Sequence, residues 1–67
     1  MIVLTEINGE QFLINPRYIK CIFPREVLYE GKKIIVTNID IEGGHIIYVK
    51  ESIKEIHNLI KKGLDKS

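Results

Sequence analysis

The sequence has no tryptophan, no alanine, one cysteine and two prolines among its 67 residues. A single cysteine excludes an internal disulfide. With two histidines beside it there is no Cys/His cluster of the spacing a structural metal requires. Charge of one sign is also lacking: 10 Lys+Arg stand against 9 Asp+Glu, a net charge of +1. That balance argues against DNA as a partner, because nucleic-acid affinity rests on phosphate neutralisation, and against a polybasic membrane anchor. No apolar run approaches the roughly 20 residues that cross a bilayer. Met1 leads straight into alternating apolar residues rather than a signal-peptide pattern. No membrane insertion and a cytoplasmic location are therefore expected.

What is present is β-branched aliphatic side chain: 14 Ile and 4 Val, with 5 Leu beside them. These residues are stiff at χ1 and suit a pleated surface. A chain this short buries only about 60% of its unfolded surface, so folding rests on a dense aliphatic core, on oligomerisation, or on both.

Asn8-Gly9, between Ile2–Ile7 and Glu10–Ile14, predicts a β-hairpin with a type I′ turn. Asn15-Pro16 stops its second strand. From Arg17 to Phe23 the residues alternate, with Ile19, Cys21 and Phe23 on one face, which makes Cys21 a buried small hydrophobe. Pro24 breaks that strand, and residues 24–31 read as a loop with a short edge strand turning at Gly31. Lys32–Ile41 and His45–Val49 read as strands joined through Glu42-Gly43-Gly44. At Ser52 the period changes: Ser52-Ile53-Lys54-Glu55 is a capping box, followed by Ile53, Ile56, Leu59, Ile60 and Leu64 at helical spacing. Gly63 is placed as a left-handed helix cap.

The expected architecture is mainly β (α+β): a small twisted antiparallel sheet or partial barrel of about five strands with one C-terminal amphipathic helix. It forms a single domain over residues 1–64, with 65–67 a frayed tail. Apolar residues fall on both strand faces (Ile34 and Ile35; Ile46 and Ile47), so the sheet either curls on itself or meets another copy, and a homo-oligomer is expected.

Neither histidine has a companion for catalysis or metal binding, and Gly43-Gly44 joins strands rather than cradling a phosphate. The acidic residues are scattered singly. No catalytic constellation, metal site or cofactor is implied, and the expected protein is not an enzyme. The one suggestive cluster is basic and aromatic: Arg17, Tyr18, Arg25, Tyr29, Lys32 and Lys33, with Lys20 and Phe23 between them. Arginine and aromatic faces together can hold a nucleotide; the same pattern also keeps an edge strand soluble.

The opening Met1–Gly9, then Phe12-Leu13-Ile14-Asn15-Pro16 and Ile19, resembles the FlbD (SwrD) family of small flagellar-operon proteins. So does the later run from Gly44 through Tyr48-Val49-Lys50-Glu51-Ser52-Ile53 to Glu55-Ile56. The resemblance implies a non-enzymatic accessory protein that supports flagellar motility through contacts with protein partners, among them motor components. It carries over no functional residues. Between Phe23 and Gly43 this chain has extra residues, and they coincide with the basic-aromatic cluster. The alternative expectation is therefore an oligomeric binder that sequesters a nucleotide-derived signal, as a phage-type sponge does, with Arg17, Tyr18, Arg25, Tyr29, Lys32, Lys33 and His45 around a pocket between subunits.

Overall fold

The computed structural model describes residues 1–65, with side chains through 63. In chain order it contains β1 (Ile2–Thr5), β2 (Gln11–Ile14), a 3-10 turn (Pro16–Tyr18), β3 (Ile19–Tyr29), β4 (Lys32–Ile41), β5 (His45–Val49) and α1 (Ile53–Asp65). The fold is mainly β, with five antiparallel strands and one C-terminal helix, as the sequence predicts. β1 and β2 form one sheet, and β3-β4-β5 form another with β4 central. The two are stitched along one edge. Glu6 bridges Val49, the Ile7 N–H donates to Tyr48 O at 3.3 Å, and the Lys50 N–H donates to Thr5 O at 2.8 Å.

The first hairpin turns differently from the expectation. The Gly9 N–H donates to Glu6 O at 2.9 Å and the Glu6 N–H to Glu10 O at 2.8 Å. Only Gly9, at φ 95°, is left-handed there. This is a three-residue loop closed by a glycine bulge rather than a two-residue type I′ turn. The reason lies in the register. A two-residue loop would set Leu4 opposite Leu13 and turn Phe12 and Ile14 outward, whereas the longer loop pairs Leu4 with Phe12 and Ile2 with Ile14. A one-residue slip exchanges the faces of a strand, and this register puts Ile2, Leu4 and Ile14 in the core together.

A second correction concerns β3. Ile19 pairs with Ile41 and Cys21 with Asp40, leaving Lys20 as the extra residue of a bulge. The bulge breaks the alternation read from the sequence. Ile19 and Ile22 both pack against the core, and Cys21 is turned to the opposite face, where it is exposed rather than buried.

Residues 24–31 are not a loop. β3 runs through Pro24 to Tyr29 and returns as β4, Tyr29 opposite Lys32. Glu30 (φ 51°) and Gly31 (φ 77°) form the two-residue turn, both left-handed, as a type I′ turn requires. Counting hydrogen-bonded pairs back from Tyr29–Lys32 makes Pro24–Thr37 a non-hydrogen-bonded pair. The nitrogen of Pro24 thus faces the outer edge and costs the ladder no bond.

The core comprises Ile2, Leu4, Ile14, Ile39, Val49 and Ile56. α1 packs on β1 and β3 and places Ile56 in this core, with Leu59 and Ile60 half-buried beside it. Its capping box is formed: the Glu55 N–H donates to Ser52 Oγ (3.1 Å), and the Ser52 N–H donates to Glu55 Oε1 (3.3 Å). Gly63 is not a left-handed cap, because the helix continues through it to Asp65. Of the expected tail, residues 66 and 67 lie outside the described residues, as does the Leu64 side chain.

Two stability changes follow. Ile39→Val, which removes one methylene from the closed core, costs about 1 kcal/mol. Glu30→Asn, which suits a left-handed turn position, gains up to about 1 kcal/mol. Urea denaturation of the two variants checks both signs.

Candidate functional site

β4 has a core side and an outer side, and the outer side is polar at its centre. Asn38, on that side, has no solvent exposure. A buried amide needs partners, and β4 itself and the neighbouring β3 supply them. Asn38 Nδ2 donates to Asp40 Oδ1 at 2.8 Å, and Arg25 Nη1 approaches Asn38 Oδ1 at 3.5 Å. Cys21 Sγ donates to Asp40 Oδ2 at 3.1 Å. The Arg25 guanidinium lies 5.9 Å from the centre of the Tyr48 ring, a cation–π distance. The row exists because Cys21, Phe23 and Arg25 on β3 and Ile46 and Tyr48 on β5 share the outer side with Asn38 and Asp40.

These contacts set the ionisation of the two titratable members. The bond from the thiol, then that from the Asn38 amide, holds the Asp40 carboxyl below the usual carboxylate range. The bond to Asp40 raises the Cys21 thiol above its ordinary value, with desolvation and the Asp40 charge adding to the shift. A protonated thiol donating to a carboxylate is a poor nucleophile at neutral pH. The pair is a hydrogen-bonded strut across the β3–β4 ladder. Among the described residues no group of three or more His, Cys, Asp or Glu side chains is arranged to hold a metal ion.

The second feature is the ribbon. β5 pairs with β4 only over residues 37–41, so the outer ends of β3 and β4 run beyond it as a two-stranded arm. The arm contributes to the 42 Å long dimension of the molecule. It carries Leu28, 72% exposed, and Ile35, 68% exposed. Ile53 at the start of α1 lines one open groove with Ile35 and Pro24. A separate apolar surface is formed by Leu13, Tyr18 and Ile46, which line a shallow depression with Phe12 and Ile47. Exposed apolar surface gathered in this way marks contact regions.

The seven residues singled out in the sequence fall in several places on one chain. Arg17 lines a depression with Met1, Pro16 and Ile60. Tyr18 and His45 share the Leu13–Ile46 depression. Arg25 lies over Tyr48, and Tyr29 lines a shallow depression with Tyr48 and Ile7. Lys32 and Lys33 sit on opposite faces of β4, next to the turn. One chain thus brings Arg25 and Tyr29 to the same tyrosine and Tyr18 to His45, and leaves Arg17 and Lys33 elsewhere. Sequence reasoning missed Asn38, Asp40 and Tyr48. The signal was two polar residues, at positions 38 and 40, alternating with isoleucines at 39 and 41 near the end of the strand.

Comparison with protein-family models, curated proteins and solved structures yields no match.

The linkage of the Cys21–Asp40 strut to pH has a definite sign. Asp40 titrates lower in the folded state, so its stabilisation is present above the unfolded carboxyl pKa and lost as pH falls through the folded one. Cys21 titrates higher when folded, so its contribution is present below the unfolded thiol pKa and lost as pH rises through the folded value. Asp40→Asn should therefore flatten the acid limb of melting temperature against pH. It should also speed iodoacetamide alkylation of Cys21 at mildly alkaline pH; equal alkylation rates in the two proteins would show that the strut does not form.

Proposed function

We propose that this chain is a non-enzymatic accessory protein that works by contact with other proteins. The observation that carries the proposal is the ribbon. In a chain with so little interior to spare, Leu28 and Ile35 are held in water on an extended arm. Burying one such side chain stabilises by roughly 1.5–3 kcal/mol. Leaving both out has a use if a partner covers them. The polar row supports the same reading, since its thiol, carboxylate and amide are engaged with one another rather than directed at a common reacting atom.

The resemblance of residues 1–19 and 44–56 to FlbD-type proteins supplies the setting: the partner belongs to the flagellar motor or its assembly. The extra residues that depart from the family pattern form the arm, so the arm is where this chain's own contacts lie. The nucleotide-binding alternative needs a second copy to gather the seven residues; within one chain Arg25 with Tyr29 at Tyr48 and, separately, Tyr18 with His45 speak for it.

In the native host, deletion of the gene should reduce swarming. Complementation with Leu28→Ser should restore it less well than the wild-type gene, at equal expression and equal melting temperature. Full motility in the deletion strain would refute the flagellar setting, and full rescue by Leu28→Ser would remove the arm from the contact.

A further inference from the structure

The two long edges of the ribbon are unlike. On β3 the outer edge includes Pro24, whose nitrogen faces outward and offers no donor, with charged Arg25 and Glu26 following it. Proline and charge are the usual guards of a strand edge. On β4 the opposite edge has no proline. The alternation that makes Pro24–Thr37 a non-hydrogen-bonded pair does the same for Glu26–Ile35 and Leu28–Lys33. The N–H and C=O groups of Ile35 and Lys33 therefore point away from β3, toward the line that β5 would follow if it were longer. β5 ends at Val49, opposite Thr37. In register, Glu51 would come next to Ile35, but its carbonyl accepts from the Thr37 hydroxyl and its carboxylate accepts from the Thr5 N–H at 2.8 Å. The chain is drawn off into α1. Among the described residues no strand lies on the side of Lys33–Ile35 that faces away from β3, and an open groove lined by Pro24, Ile35, Lys50, Ile53 and Lys54 adjoins that edge.

We infer that this vacated strand position is a docking site for an extended segment of a partner protein, added to β4 in line with β5, and that the segment alternates acidic and apolar residues. The inference rests on the contact reading above and names the chemistry of the partner. Backbone groups on an open edge specify an extended strand, and the two faces of the edge specify its side chains. Lys33 shares the core-side face with Ile35, and the charged side chains lining the adjoining groove are Lys50 and Lys54. The nearby acids are committed elsewhere: Glu51 to Thr5 and Glu55 to the helix cap, while Glu26 is one strand away. On the other face the edge presents the half-buried Ile34, next to the buried Val36. A docked strand thus meets lysines on one side and aliphatic side chains on the other. A second copy pairing β4 with β4 would instead bring another Lys33 to an edge that already has Lys33, with Lys50 and Lys54 in the adjoining groove, and the gathered like charge opposes that pairing.

The test is fluorescence anisotropy of a labelled, end-capped hexapeptide alternating Glu and Val, against one alternating Lys and Val, with the full chain. The acidic probe should bind and the basic one should not, and added salt should weaken binding. Ile35→Pro removes the outward N–H at a position where proline leaves the β3 ladder intact, as Pro24 does; it should weaken the acidic probe by roughly tenfold with the circular dichroism spectrum unchanged. Lys50→Glu with Lys54→Glu should weaken it several-fold with no change in fold. Equal binding of both probes, no binding of either, or full binding by folded Ile35→Pro would each overturn the inference. So would a probe-independent dimer in sedimentation that Ile35→Pro dissolves, because the occupant would then be a second copy. None of these results touches the swarming test, so the docking site fails separately from the contact reading.

Discussion

β4 is ten residues long, and its neighbours are eleven and five. This mismatch organises the molecule. Where all three strands run together, from Thr37 to Ile41, the sheet is wide enough to be covered by β1, β2 and α1 on its core side, and Val36, Thr37, Asn38 and Ile39 are consecutively buried. Where β5 has stopped, the same strand becomes half of a ribbon that leaves Leu28 and Ile35 in water. A chain of this size cannot enclose both halves. It closes one and extends the other.

The bulge at Lys20 is the companion of that arrangement. Without it, strict alternation would send either Ile19 or Ile22 away from the core, and the outer row would lose its register with β4. The inserted residue keeps both isoleucines inside and delivers Cys21, Phe23 and Arg25 to the outer side, where Cys21 and Arg25 meet the polar pair Asn38 and Asp40. The polar row in turn resists slippage. Moving β3 by one residue would take Arg25 from the Asn38 amide oxygen, leaving a buried acceptor unpaired at a cost of about 1–3 kcal/mol.

The elements legible in the sequence were those whose signals are local. The Ser52–Glu55 capping box, the Asn15-Pro16 stop and the Glu42-Gly43-Gly44 turn are each settled within a few residues. What escaped was decided at a distance. Pro24 reads as a strand breaker because the sequence does not say which edge its nitrogen faces; that depends on counting pairs back from a turn at Glu30-Gly31. Asn8-Gly9 signalled a hairpin correctly but not its loop length, which the burial of Phe12 and Ile14 determined. The basic-aromatic cluster illustrates the same limit. Residues 17–33 are near one another in sequence, yet a strand sends successive side chains to opposite faces and is itself long enough to separate its ends. Neighbours such as Lys32 and Lys33 thus part company, and Arg25 meets Tyr48, more than twenty positions on.

The guards on the ribbon also explain why one exposed edge need not be a hazard. Pro24 protects its edge against every strand, because a missing donor is missing for all partners. Lysine protects differently. Lys33 leaves the backbone groups of β4 in place and controls which strands find them, repelling a basic edge, its own copy included, and favouring an acidic one. Specificity built from repulsion of this kind is a difference between affinities, and it costs the chain little while the edge is unoccupied, because Lys33 is exposed there. The unequal treatment of the two edges is what a surface for one class of partner requires: closed where no contact is wanted, selective where it is.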